Sequence, residues 1–133
     1  MINKALRIMI ADPQHIRRLR LERDINHQGY YAIAPVSSLE QMLDLLGYGE
    51  RGFDLLLVNA QLVIRERFDL HDFLRDLPSR VHVLIYDMPV CRLAILSAEA
   101  RERTVCTPAL WPEGGPVRAL LRRADPLRLP VFS

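Results

Sequence analysis

Phe53-Asp54-Leu55-Leu56-Leu57-Val58-Asn59 contains an unbroken aliphatic run from Leu55 to Val58 that ends on an amide. Nothing within the run offers a solvated face. Such a segment reads as a strand buried on both sides, the kind found in parallel sheets covered by helices. In open α/β sheets, ligands bind beyond the carboxyl ends of the strands. Asn59 therefore marks the edge where a working crevice is expected. That its side chain is an amide and not a carboxylate bears directly on the chemistry available there.

The rest of the chain supplies the partners such a strand needs. Leu6 to Ala11 forms a first apolar run ending at Asp12-Pro13, with Asp12 expected near a helix N-cap and Pro13 in the first turn. Gln14 to Gln28 follows as a helix, with Gly29 as its stop. Tyr30 to Val36 is a short strand whose Pro35 suits an edge or a strand end. Ser37 to Glu40 reads as a capping box opening a helix with Leu39, Met42, Leu43 and Leu46 on one side. After the Phe53–Asn59 strand, residues 60–67 read as a loop and Phe68 to Leu77 as a short helix. Val81 to Tyr86 is a fourth strand, followed by Asp87 and a helix from Pro89 to Ala100. Thr104 to Thr107 is a fifth strand, Pro116 to Ala124 the last helix, and Asp125 to Ser133 an extended tail. Strands alternating with helices at this spacing predict a doubly wound, five-stranded parallel α/β sheet in one domain over residues 1–124, with a tail over 125–133.

Composition narrows the functional classes. The chain has 133 residues, half of them apolar, enough for one domain with a core. No apolar run approaches the roughly 20 residues of a membrane span, and the N-terminal segment lacks the form of a signal peptide. A cytoplasmic location is expected. Cys91 and Cys106 have no ligand spacing and read as reduced and buried, and the four histidines form no zinc pattern. Of 18 basic residues only Lys4 is a lysine. A mechanism needing a lysine in the sheet has only that residue to draw on, whereas arginine suits ion pairs and partner surfaces.

Polar residues recur at the strand ends: Asp12 after the first, Asn59 closing the third, Asp87 after the fourth and Thr107 closing the fifth. In a parallel sheet these ends share one edge, so the four side chains are expected in one crevice.

The segments LRIMIADPQHIRR, GYYAIAPVSSLEQMLDLL, FDLLLVNA and VHVLIYD, followed by Thr107-Pro108, resemble the receiver domains of two-component response regulators, which have a CheY-like, flavodoxin-like fold. The resemblance runs from about Leu6 to Ala124. It implies a phosphorelay signalling domain and places the family's functional positions on this chain. Of the paired magnesium-binding acids only Asp12 matches, with Ala11 at the other position. The phosphoacceptor aspartate falls on Asn59, the hydroxyl residue after the fourth strand on Asp87, the phosphate-pairing lysine on Thr107, and the aromatic switch residue on Thr104.

Phosphoryl transfer to a receiver needs a carboxylate nucleophile and positive charge to neutralise the group that arrives. An amide does not replace that acceptor, threonine carries no charge, and Asp87 repels a phosphoryl group. The expectation is a pseudo-receiver, not an enzyme, whose vestigial pocket is Asp12, Asn59, Asp87 and Thr107. No cofactor is expected, and Asp12 with the Asn59 amide oxygen is the remnant of a magnesium site. The alternatives are phosphorylation on Asp12 or Asp87, or a small-molecule sensor using the crevice. No effector domain fits after Ala124, so output is expected through a protein partner or a homodimer. Arg17, Arg18, Arg20 and Arg23 on the first helix, with Arg118, Arg122 and Arg123 on the last, form a candidate basic partner face, with Arg17, Arg20, Arg118 and Arg122 at its centre. Direct nucleic-acid binding is not expected, because no aromatic residues alternate with the arginines.

Overall fold

Side-chain alternation along the strands divides the core into two layers. The computed structural model describes residues 2–47, 52–64, 69–78, 80–89 and 103–128. Strands β1 (Ile8–Ala11), β2 (Ile33–Val36), β3 (Leu55–Asn59), β4 (His82–Tyr86) and β5 (Thr104–Cys106) form one sheet in the order β2-β1-β3-β4-β5. Every pairing is parallel. The expected strands are all present; the first four are trimmed by one to three residues at their starts, and the fifth loses Thr107 at its end. Pro35 lies on the edge strand β2, where its missing N–H costs least.

On one face Met9, Ala11, Leu56, Val58, Val83 and Ile85 pack with Met42 and Leu74. These come from helices α2 (Leu39–Gly47) and α4 (Leu70–Asp76). On the other face Ile8, Ile10, Leu55, Leu57, Leu84 and Tyr86 meet Leu21, Ile25, Val117, Leu120 and Leu121. The latter belong to α1 (His15–His27) and α5 (Gly115–Ala124). Period-two alternation sends successive side chains to opposite faces. Central strands whose residues are buried on both faces explain the uninterrupted Leu55–Val58 run.

Several boundaries differ from expectation. Helix α1 starts at His15 after Gln14, so Asp12 is not its N-cap; instead Asp12 Oδ1 accepts from the Gln14 N–H in an Asx turn. The α2 cap is shifted by one residue. Ser38 Oγ accepts from the Gln41 N–H, and Gln41 Oε1 accepts from the Ser37 N–H, so glutamine and not Glu40 closes the box. Residues 60–64, expected as loop, form a short helix α3 (Ala60–Ile64) with Leu62 and Val63 buried. The helix expected over 89–100 falls almost wholly outside the described residues. Cys106 is half-buried, and burial raises its thiol pKa; Cys91 lies outside the described residues. Gly29 follows α1 with φ +102°, the left-handed stop expected of it. Gly114 precedes α5 with φ +95°, and its N–H donates to Asp24 of α1, which ties the two helices together.

Of the expected tail only residues 125–128 are described, and Asp125 anchors its start to the domain. Asp125 is fully buried and accepts from the Asn3 N–H, the Tyr30 hydroxyl and the Leu127 N–H. Burial alone would raise its pKa, but the Tyr30 and backbone hydrogen bonds and the nearby Arg128 charge outweigh it and hold the carboxyl below its usual range. A carboxyl depressed in the folded state stabilises the fold fully above its unfolded pKa of about 3.9. That stability is lost as pH falls through the folded value. Stability measured by denaturant titration is therefore expected to fall below about pH 4 in the parent, with a smaller fall in Asp125→Asn. Identical pH profiles would show that Asp125 is not an acid-sensitive anchor.

Candidate functional site

Three strand ends place polar side chains on the α1/α5 face. Asp12 continues the alternation of Ile8 and Ile10, Asn59 that of Leu55 and Leu57, and Tyr86 that of Leu84. The register sets Ala11 beside Val58 and Asn59 beside Tyr86, so the three groups meet at one level of the sheet.

Asp12 is the hub and is fully buried. Its Oδ2 accepts from the Tyr86 hydroxyl at 2.5 Å, from Arg17 Nε at 2.9 Å and from Asn59 Nδ2 at 3.2 Å. Its Oδ1 accepts from the Gln14 N–H at 2.8 Å. Arg18 also donates to the Asp12 carbonyl at 2.6 Å. Three donors thus converge on Oδ2 and one on Oδ1. Asn59 can sit only one way round. Its Oδ1 accepts from the Gln61 N–H at 2.8 Å, which leaves the NH₂ to face Asp12. Burial above all, then the Asp12 charge and hydrogen bond, pushes the Tyr86 phenol far above its ordinary range. Tyr86 therefore remains a protonated donor.

Asp87 and Thr107 lie at the same edge and are tied into the following loops by main-chain bonds. Asp87 adopts a left-handed φ of +55°, and its N–H donates to the Ala109 carbonyl. The Met88 N–H donates to the Thr107 carbonyl, and Thr107 Oγ1 accepts from the Ala109 N–H. These bonds prolong the β4–β5 ladder beyond the strands. Among the described residues neither side chain hydrogen-bonds Asp12 or Asn59, although the Asp87 charge adds to the field on Tyr86. Thr104 sits opposite Val83, low on the sheet and away from the pocket.

The arginines separate into two groups. Arg17, expected on a partner surface, turns inward: its side chain is 14% exposed and ion-paired with Asp12. Arg20 is exposed, pairs with Glu113 at 3.2 Å and stacks over Trp111 at 4.6 Å. Arg23, Arg118, Arg122 and Arg123 are exposed on α1 and α5.

Sequence reasoning missed Tyr86 and the inward turn of Arg17. Parity could have found Tyr86, because it shares its face with Asn59 in the neighbouring strand. Arg17 lies five residues after Asp12, on the first turn of the helix that covers this face.

The donor set does not suit a metal. Asp12 is the one carboxylate in the hydrogen-bonded cluster, its Oδ2 is already engaged by three donors, and Ala11 stands beside it in sequence. Among the described residues no three His, Cys, Asp or Glu side chains are grouped to hold an ion. The cluster balances the buried Asp12 charge from within.

Comparison with known proteins gives the fold. No protein-family profile matches the sequence. No curated protein matches it. Among solved structures it is similar to the signal receiver domain of an HD domain-containing protein from Pseudomonas fluorescens Pf-5, with 20% identity and a TM-score of 0.64, covering 93% of this chain and 90% of that one. It is also similar to a response regulator protein from Burkholderia pseudomallei whose structure contains a phosphorylated aspartic acid, a calcium ion and citrate. There the identity is 16% and the TM-score 0.60, and the match covers 87% of this chain but only 66% of that one. The chain has the CheY-like receiver fold. Among the described residues no helix is long and apolar enough to cross a membrane.

Proposed function

We propose that this chain is a signalling module of the receiver fold that acts through protein–protein contact and accepts no phosphoryl group. The observation that carries this reading is the Asp12 cluster. A fully buried carboxylate accepts from Tyr86, Arg17, Asn59 and a backbone N–H. Asn59, at the position that the sequence resemblance gives to the acceptor, donates its NH₂ to Asp12 and lacks a nucleophilic oxygen anion. Using Asp12 as the acceptor instead would require breaking the Arg17 ion pair and the Tyr86 hydrogen bond. Thr107 supplies no charge to neutralise an incoming phosphate. The module is neither an enzyme nor dependent on a cofactor, and it works in the cytoplasm.

The contact face is basic. Arg20, Arg23, Arg118, Arg122 and Arg123 stand exposed on the adjacent helices α1 and α5, with Trp111, 40% exposed, stacked on Arg20. Arginine and tryptophan are the residue types that anchor protein interfaces, and the charge selects an acidic protein segment. Incubation with acetyl phosphate and magnesium, followed by intact-mass analysis, tests the reading. No species heavier by one phosphoryl group is expected, and a stoichiometric adduct on Asp12, Asp87 or any other carboxylate would refute it.

A further inference from the structure

We infer that the Arg17 guanidinium is the resident cation of this pocket, taking against Asp12 the place a divalent metal ion would otherwise hold and excluding one. The inference rests on the closed-pocket reading above and adds a role for one residue.

Charge balance supports it first. The Asp12 carboxylate is paired with one guanidinium, Arg17, and with the neutral donors Tyr86 and Asn59, while a second guanidinium, that of Arg18, sits on the Asp12 main-chain carbonyl. The carboxylate charge is met without any ion. A divalent ion placed there would meet a guanidinium 2.9 Å from its only buried carboxylate. It would also face the NH₂ of Asn59 and the hydroxyl of Tyr86, both turned donor-first toward the same oxygen. A cation needs oxygen lone pairs, and here those of Oδ2 are engaged by three donors and Oδ1 is shared with the Gln14 N–H. The position of Arg17 points the same way. It is on the first turn of α1, on the helix that covers this face, and its side chain is mostly withdrawn from water. Burying that charge is costly unless it is paired. Removing it leaves Asp12 buried with an uncompensated charge, which is the condition under which a site recruits an outside cation. Asp87, whose charge already reaches Tyr86, would then add to the attraction.

The test compares the parent with Arg17→Ala and Arg17→Lys in the full chain. Manganese is titrated while line broadening of the Asn59 and Ala60 amides is followed, and melting temperature is measured with and without magnesium. The parent is expected to show no selective broadening and no magnesium-dependent shift. Arg17→Ala is expected to melt lower without ion, to recover part of the loss with magnesium, and to bind manganese at least about tenfold more tightly than the parent, since a contacting positive charge has been removed. Arg17→Lys, which keeps a cation, is expected to behave like the parent. If Arg17→Ala does not fold, Arg17→Gln takes its place. The inference is overturned if the parent binds manganese at these amides as tightly as the variant, or if the variant gains no affinity. It is likewise overturned if neither neutral variant folds even in saturating magnesium. Ion binding by the parent defeats this inference while leaving contact-only signalling intact. A phosphoryl adduct defeats contact-only signalling whatever the ion data show.

Discussion

Asp12→Ala is expected to lower the free energy of unfolding by about 3 to 5 kcal/mol, the range for removing one partner of a buried ion pair. The loss has identifiable parts. The Tyr86 hydroxyl and the Asn59 NH₂ both point at the vacated oxygen, and a buried donor left without an acceptor costs about 1 to 3 kcal/mol. Arg17, partly exposed, relieves some of its own cost by swinging toward water. The Asx turn that leads into α1 is lost as well. Tyr86→Phe is the control. It removes one of the donors to Asp12 and leaves the others, so a smaller loss of about 1 to 2 kcal/mol is expected. Urea denaturation at neutral pH measures both. A loss from Asp12→Ala no greater than that from Tyr86→Phe would mean that Asp12 is not the hub.

Asn59→Asp carries the second large effect. The substitution is nearly isosteric, yet it replaces a donor with an acceptor 3.2 Å from Asp12 Oδ2. Two carboxylates then face one guanidinium in a buried site. A loss of about 2 to 4 kcal/mol is expected, since one hydrogen bond becomes a like-charge contact and Arg17 compensates only in part. Magnesium is expected to raise the melting temperature of this variant more than that of the parent, because it relieves that repulsion. Phosphotransfer should stay low until Thr107→Lys adds the missing positive charge. Wild-type stability in Asn59→Asp without added ion would show that the amide is not needed as a donor. Phosphate uptake by Asn59→Asp alone, at rates usual for receivers, would show that Thr107 and Arg17 are no obstacle.

The sheet could be read from the chain because its signals are local and redundant. Leu55 to Val58 has no polar side, the strands alternate with helices, and Pro35 selects an edge. The edge on which Asp12, Asn59, Asp87 and Thr107 lie follows from parallel pairing alone. What could not be read was direction. Whether Asp12 caps a helix or turns inward depends on where α1 begins, and the Asx turn to Gln14 moved that start past Pro13. A run of arginines on a helix looks alike whether each is solvated or buried, so Arg17 was grouped with Arg20, Arg118 and Arg122. Only the neighbouring Asp12 separates it from them. Tyr86 closes an apolar strand whose pattern does not single it out, although its hydroxyl needs a partner when buried. The α2 box slid by one residue because Ser37 and Ser38 are equally good caps, and Gln41 serves as well as Glu40.

The amide spectrum of the unmodified protein, recorded before and after adding magnesium together with acetyl phosphate, tests the closed pocket most directly. It reports ion binding and phosphoryl transfer at the same residues in one sample. With the Asp12 charge paired from within, the resonances of Asn59, Ala60, Asp87 and Thr107 are expected to stay in place. A new set of peaks at these positions, growing with time or with magnesium, would contradict it.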